Sequence, residues 1–280
     1  MLIPFENEVY MNLLQLMKTR KSVRTFDGKP LREEDLSALR RFAEEIGTPF
    51  GIPVRFVFLD AKQHGLSSPV LVGDTFYAAG ICPGVPEAEL AYAFAFEKLV
   101  LFAWSLGIGT VWIAGTMDRA KFEKAAGLEE GERMPCITPL GYPAEKRSMR
   151  ETFMRKSIGA DNRMKAGELF FEGDFSTPVS RETEERFGEL MEMVRWAPSA
   201  VNKQPWRVLV RGGDWHFYEK QDSGFVHEPT GDLQKIDVGI ALCHLVMGAE
   251  ERKIPAEVRI QDPEIKDARG WKYTATVTLG

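Results

Sequence analysis

Cysteine and histidine are scarce in this sequence of 280 residues, which holds three cysteines and four histidines. Cys82, Cys136 and Cys243 stand far apart and form no CxxC pair, so the sequence predicts neither a disulfide framework nor a zinc site. The histidines show no HExxH or HxxxH spacing. We therefore expect no metal site, and we interpret each cysteine as a small core residue rather than a nucleophile.

An excess of positive charge is also missing, because 36 Lys and Arg residues face 41 Asp and Glu residues, for a net charge of −5. Such a chain lacks the electrostatic footprint of a general nucleic-acid or membrane-surface binder. The longest apolar stretch, residues 88–114, is interrupted by charged side chains and predicts a buried core helix followed by a strand, not a membrane span. The first residues resemble no secretory signal. We expect a cytoplasmic protein that binds neither nucleic acid nor membrane.

Helix and strand patterns are intermixed along the chain and predict an α+β fold with mostly antiparallel sheets and long buried helices. The helical patterns cover residues 8–19, 33–46, 88–106, 181–196 and 232–252, with a further short helix between Asp118 and Gly127. The strand patterns cover residues 54–59, 110–115, 136–141, 206–211, 215–219 and 273–279. The charge-rich segment 142–180 has little periodicity and is interpreted as a linker.

Some sequence fragments occur twice. The string TRKSVR at 19–24 returns as MRKSIG at 154–159, and IPVRFVFL at 52–59 returns as QPWRVLVR at 204–211. The two offsets differ, which indicates a diverged duplication rather than a short-period array. We therefore predict two similar halves, 1–150 and 151–280, packed as a pseudo-dimer within one chain, so that a monomer is sufficient.

A basic motif stands out in this acidic protein. Residues 18–24 contain four basic side chains and no acidic one, and the motif reads Arg20-Lys21-Ser22-Val23-Arg24. Arginine forks and a serine hydroxyl beside backbone amides suit the recognition of a phosphate. The alternative is a solvated basic turn between two helices.

A second motif is the loop APSAVNKQPW at 197–206, which two prolines hold away from helical geometry. Ser199, Asn202 and Gln204 offer hydrogen-bond donors and acceptors along one edge. This pattern suits a planar heterocycle, and the alternative is a plain connector from helix to strand.

Glycines follow the long buried helix in the string LGIGT at 106–110. Neither GxGxxG nor GxxxxGK is present, so these glycines are expected to end the helix and to permit a close approach. Further along, Ala114 and Gly115 leave backbone N–H groups unshielded by side chains. The later basic run Lys146, Arg147, Arg150, Arg155 and Lys156 is interpreted as a solvated face, although some of it could complete a phosphate site.

Together, RKSVRTF, the PSAxNxQPW loop, the helix ending LGIGTVWI and LGYP at 140–143 resemble the FMN-dependent nitroreductase family. Members of this family are usually homodimers, so the resemblance implies that FMN lies at an interface between two similar units. This sequence departs from that pattern, because Phe50 stands where the first half would carry the counterpart of Asn202, and Gly159 stands where the second half would carry the counterpart of Arg24. The complementary losses resemble a tandem, single-chain branch of the family that keeps one flavin site.

The resemblance implies a cofactor site made of Arg20, Lys21, Ser22, Arg24, Ala114, Gly115, Arg155, Pro198, Ser199 and Asn202. In this site Arg20 and Ser22 hold the phosphate, and Arg24 lies near the pyrimidine edge of the flavin. Backbone groups of Ala114 and Gly115 approach the flavin N5, and the 198–202 segment lines the ring. The choice among Arg147, Arg155 and Lys156 as a further phosphate contact stays open.

The activity implied by the resemblance is hydride chemistry on FMN, with NADH or NADPH as electron donor. A nitroaromatic, a quinone or a similar electron-poor small molecule would be the acceptor, and no protein group is needed as catalyst because the cofactor carries the chemistry. Two alternatives stay open. One is another flavin reaction on the same scaffold, such as reductive dehalogenation or flavin degradation, and the other is a non-catalytic flavin- or nucleotide-binding protein.

Overall fold

The computed structural model describes residues 12–280, which fall into two compact units. The first unit comprises residues 19–160 with 227–231, and the second comprises 12–18, 161–226 and 232–280. Up to residue 160 the elements are α1 (Leu13–Thr19), α2 (Glu33–Glu45), β1 (Arg55–Asp60), α3 (Ala61–His64), β2 (Phe76–Pro83), α4 (Ala88–Ser105), α5 (Arg119–Ala126), β3 (Glu132–Arg133), β4 (Ile137–Leu140) and α6 (Met149–Ser157). Beyond it they are α7 (Ala166–Leu169), β5 (Phe170–Glu172), α8 (Arg181–Arg195), β6 (Trp206–Arg211), β7 (Asp214–Glu219), β8 (Val226–His227), β9 (Gly231–Asp232), α9 (Leu233–Glu251), β10 (Ala256–Arg259) and β11 (Lys272–Leu279).

The first unit is built around a small antiparallel sheet with β2 at its centre. β2 pairs with β1 and β4, and its last residues pair with β3. The helix α4, buried along most of its length, packs against β2, and an added Cβ at Gly80 would lie 2.7 Å from the Tyr92 ring and 2.8 Å from the Phe96 ring. Glycine at this position therefore sets how closely the helix can approach the sheet.

The second unit contains a five-stranded sheet in the order β10-β11-β7-β6-β5. All pairs are antiparallel except β5 with β6, which is parallel. The buried helix α9 packs on this sheet and against α8. The short α1 belongs to the same unit, where the Leu13 N–H donates to Glu251 Oε1 at 2.9 Å and Lys18 pairs with Glu192 at 3.5 Å.

The predicted α+β class with mostly antiparallel sheets and long buried helices is confirmed. Most predicted elements appear within one or two residues of their expected bounds, and Asp118 caps α5 through the Lys121 N–H while Gly127 ends it at φ 61°. The predicted helix over 8–19 begins at Leu13, and residues 8–11 lie outside the described part of the chain. Within residues 12–280 no helix is long and apolar enough to span a bilayer.

Two predictions about local structure are wrong. Residues 110–115 form no strand, because only isolated bridges at Thr110 and Ile113 pair this segment with its neighbours. The segment 142–180 is more than a linker, since it contains α6, α7 and β5, and the division between the two units falls within it, between residues 160 and 161. The predicted boundary between residues 150 and 151 falls inside α6. That the two units descend from one duplicated ancestor stays a prediction.

Candidate functional site

The Arg20–Arg24 motif lies in an extended segment that is tied into the first unit by backbone hydrogen bonds. The Val23 N–H donates to the Thr110 carbonyl at 2.9 Å, and the Val72 N–H donates to the Arg24 carbonyl at 2.9 Å. The Val23 side chain is buried, and an added Cβ at Gly109 would lie 2.8 Å from the Val23 Cβ. The glycine after the buried helix thus permits close packing against the motif, as the sequence predicts, while Gly107 ends the helix at φ 76°.

Three arginines meet around Ser22, and we call Arg20, Arg24 and Arg155 the arginine cluster. The Arg20 side chain is 6% exposed, and Arg155 reaches the segment from α6 with its Nη1 3.5 Å from the Ser22 carbonyl oxygen. Burial lowers the pKa of Arg20 and of Arg24. The charge of Glu97 raises the pKa of Arg20 and that of Glu151 raises the pKa of Arg24, while the positive charge of Arg155 lowers both. Like charges so arranged favour an anion in their midst.

Buried polar atoms without partners mark the same place. Neither Nε nor Nη1 of Arg20 has a hydrogen-bond partner among residues 12–280. The Thr110 hydroxyl, which is also buried, has none within the same described residues, and Thr110 forms a parallel bridge with Ser22. An unsatisfied buried donor costs about 1–3 kcal/mol, more when charged, so an acceptor-rich ligand would recover that cost.

The sequence predicts a solvated face for the basic run in residues 146–156, and the structure shows that only part of the run is solvated. Lys146, Arg150 and Lys156 are exposed, but Arg155 is buried and so is Glu151, one turn before it on α6. The i, i+4 spacing of Glu151 and Arg155 is a sequence signal that the two side chains share one face of α6, but the spacing alone does not show that this face is buried. Thr110 carried no comparable signal.

The remaining predicted residues of the first unit lie in different settings. Lys21 is exposed, and its Nζ lies 5.9 Å from the centroid of the Trp104 ring. The Ala114 carbonyl accepts a hydrogen bond from Arg119 Nη2 at 2.7 Å. An added Cβ at Gly115 would meet nothing within 4 Å, so its backbone borders open space. Because its side chain is exposed, Lys21 does not belong to the arginine cluster.

The predicted residues Pro198, Ser199 and Asn202 belong to the second unit, in a loop with a strained backbone. Val201, Asn202 and Gln204 all have positive φ, at 44°, 59° and 50°. Left-handed backbone is unfavourable for such residues and most of all for a β-branched side chain. Val201 is nevertheless 55% exposed, so its own packing does not hold it in this conformation.

Hydrogen bonds within the second unit hold the loop in place. The Ala200 N–H donates to both carboxylate oxygens of Asp237 at 3.0 Å, and the Gln204 N–H donates to the Ser199 hydroxyl at 2.9 Å. The buried Gln204 side chain accepts from the Met164 N–H at 2.9 Å, and Asn202 Nδ2 donates to the Asn162 carbonyl at 3.1 Å. These contacts show that part of the polar edge predicted from the sequence serves to rigidify the loop.

Replacing Val201 by glycine is expected to raise the free energy of unfolding by about 0.5–1 kcal/mol, because glycine removes left-handed strain of ~1–2 kcal/mol and costs less than that in chain entropy. Val226→Gly is the matched control, since Val226 is similarly exposed and is not in the left-handed region. Urea unfolding measures the free energy of unfolding of both variants and of the wild type. Equal destabilisation by the two substitutions would contradict the assignment of strain to Val201.

A group of buried carboxylates lies behind this loop. Asp237 on α9 is buried, and burial raises its pKa well above the ordinary value, with the charges of Asp232 and Glu219 acting in the same direction. Burial, followed by the charge of Asp232, raises the pKa of Glu219 to about 7. In the described part of the chain no group of three or more His, Cys, Asp or Glu side chains is placed to hold a metal ion.

The chain is an α+β protein whose first unit contains a buried cationic site on a short extended segment. The family model described as "Putative TM nitroreductase" matches residues 12–249, and the chain belongs to this nitroreductase family. Membership of the nitroreductases, predicted from the motifs, is thereby confirmed, and the family is one of oxidoreductase enzymes.

One solved structure agrees with this fold over nearly the whole chain, and two others match about half of the chain. A "putative nitroreductase" from Thermotoga maritima is similar over 98% of this chain and 97% of its own, with 20% identity and a TM-score of 0.64. An "FMN-dependent Nitroreductase" from Clostridium difficile matches 48% of this chain and 88% of its own, with 17% identity and a TM-score of 0.41. A "Putative NADH dehydrogenase/NAD(P)H nitroreductase" from Bacteroides thetaiotaomicron matches 48% and 88%, with 23% identity and a TM-score of 0.41. No curated protein matches the chain.

Proposed function

We propose that this protein is an FMN-dependent NAD(P)H oxidoreductase that binds one FMN per chain. The observation that carries the proposal is the arginine cluster around Ser22, with Arg20 atoms buried and unpartnered among residues 12–280. The phosphate of FMN is a compact anion with several acceptor oxygens, which is the ligand that such donors recognise. Membership of a nitroreductase family supports the same cofactor.

The chain's own residues would act as follows. Arg20 and Ser22 hold the phosphate, and Arg155, rather than Arg147 or Lys156, completes that site, because its side chain is buried beside Ser22 while the other two are exposed. The positive charge of Arg24 stabilises negative charge on the reduced ring. Ala114 and Gly115 offer backbone groups beside open space, and the proposal that Pro198, Ser199 and Asn202 line the ring is based on their sequence motif.

Bound FMN would supply two-electron chemistry, taking a hydride from NADH or NADPH and passing the electrons to an electron-poor acceptor such as a nitroaromatic or a quinone. The protein's part in this reaction is to hold the cofactor, orient it and balance its charge. The proposal requires no protein nucleophile and no metal ion.

The visible spectrum of the purified protein, with released flavin measured against chain concentration, tests the proposal. We expect one FMN per chain after reconstitution, and oxidation of NADH or NADPH when a quinone or nitroaromatic is added. Two FMN per chain would contradict the single site. No flavin after addition of FMN would overturn the cofactor assignment, and bound flavin without NADH or NADPH consumption would indicate a binding protein.

A further inference from the structure

Glu151 is a buried carboxylate on the inner face of α6, and only 2% of the residue is exposed. Its Oε2 accepts from the Arg24 N–H at 3.2 Å and from the Thr25 hydroxyl at 2.8 Å. Its Oε1 lies 3.7 Å from Arg147 Nε. Both oxygens are therefore engaged, and the one with two short contacts binds the segment that carries the phosphate motif.

The start of α6 is fixed to the same segment. Ser148 caps the helix by accepting from the Glu151 N–H at 3.2 Å, and the Ser148 N–H donates to the Thr25 hydroxyl at 3.1 Å. One turn after Glu151, Arg155 lies beside the Ser22 carbonyl. The helix thus places one negative and one positive side chain against residues 22–25.

The negative charge of Glu151 lies among the positive charges of the arginine cluster. Arg20 and Arg155 are both buried, and the charge of Arg155 acts against the charged forms of Arg20 and Arg24. The charge of Glu151 acts in the opposite direction on Arg24, and the charge of the buried Glu97 does the same for Arg20. A fixed carboxylate therefore offsets part of the repulsion in the cluster, and it would also oppose an arriving anion.

We propose that Glu151 is the positioning residue of the phosphate site, holding the Arg24 backbone in place and supplying the counter-charge for Arg24 before an anion is bound. This inference rests on the proposed function for the identity of the anion. The two parts of this role can be tested separately. The hydrogen bonds of Glu151 help an anion to bind because they hold the segment in place, whereas its negative charge hinders anion binding.

Glu151→Gln separates the two parts. The amide oxygen still accepts from Arg24 and Thr25, but the charge is gone. Because a unit charge several ångströms from an anion acts through an effective dielectric between those of protein and water, we expect Glu151→Gln to bind inorganic phosphate and FMN about three- to tenfold more tightly than the wild type. Glu151→Ala loses both hydrogen bonds as well and should bind both ligands more weakly than wild type.

The experiment measures the dissociation constant of inorganic phosphate by calorimetry at constant ionic strength, and that of FMN by quenching of flavin fluorescence, on the full chain. Glu145→Gln is the control, because it removes the same charge from an exposed residue just before α6 and should change neither constant. If Glu151→Ala fails to fold, the direction of the change in affinity of Glu151→Gln still tests the counter-charge role. Phosphate should then raise the melting temperature of Glu151→Gln more than it raises that of the wild type.

Opposite signs for the two Glu151 variants support the proposal, since a purely structural role would weaken binding in both. Weaker binding by Glu151→Gln, or no change in it, would overturn the counter-charge role. A wild-type chain that binds phosphate but not FMN would overturn the proposed function. The dissociation constants of phosphate for the variants would still test the role of Glu151. A wild-type chain that binds neither ligand would overturn both.

Discussion

Replacing Arg20 by alanine is expected to weaken FMN binding by about ten- to a hundredfold, the scale of a charge-assisted hydrogen bond worth ~1.5–3 kcal/mol. The reason is that Arg20 is buried beside Ser22 with two unpartnered nitrogens among the described residues, so it has donors available for a phosphate. Titration of the apoprotein with FMN, followed by fluorescence quenching, measures the effect. Unchanged affinity would contradict the phosphate assignment.

The stability of the Arg20→Ala apoprotein provides a second readout. Burial and the charge of Arg155 act against the Arg20 cation, while the charge of the buried Glu97 favours it, so these opposing effects should leave the free energy of unfolding nearly unchanged when Arg20 is removed. Arg181→Ala is the control for loss of an arginine, because Arg181 is exposed on α8 and pairs only with Glu185 at 2.8 Å, in the part of the chain described. Parallel losses of stability and of FMN binding would mean that Arg20 has a structural role instead.

Glu219→Gln is expected to make the protein more stable than the wild type at neutral and alkaline pH, by about 3 kcal/mol, since one pKa unit corresponds to 1.36 kcal/mol. Burial holds the pKa of Glu219 at about 7, above the ordinary value for a glutamate. The folded chain therefore retains a proton that the unfolded chain releases at lower pH. Wild-type stability contributed by this group is complete below about pH 4.5 and is lost as the pH rises to about 7.

Urea unfolding of the wild type and of Glu219→Gln at several values of pH checks this. The gap between them should be near zero at pH 4, grow with rising pH and level off above pH 7. Glu228→Gln serves as the control because Glu228 is exposed. A gap that does not depend on pH would show that the substitution acts through packing rather than through the proton.

The phosphate motif was predictable because its information is local. Arg20, Ser22 and Arg24 stand within five residues, and their basic character is conspicuous in an acidic chain. Arg155 is more than a hundred residues away, and its burial depends on the placement of α6, which no local pattern determines. The sequence indicated Arg155 among several basic residues but could not separate it from Lys156.

The strand β2 shows a second limit of local patterns. Its segment includes Ala78, Ala79 and Gly80, residue types that occur rarely in strands, and no alternation marks it because it is buried throughout most of its length. The small residues are needed for the close approach of α4, a property of the packed unit. The loop from 197 to 205 is a third case, since its motif was visible but its anchor Asp237 is not adjacent in sequence.

The second unit contains residues 12–18, yet most of it is encoded after residue 160, and the first unit receives residues 227–231 from within the second. During synthesis, the ribosome delivers α1 before any strand of the sheet in its unit exists. At about 5–20 residues per second, the chain waits several seconds between completion of residue 160 and arrival of residue 231. Neither unit can therefore be produced by cutting the chain at one position, and the first unit can complete its folding only after residue 231 has been synthesised.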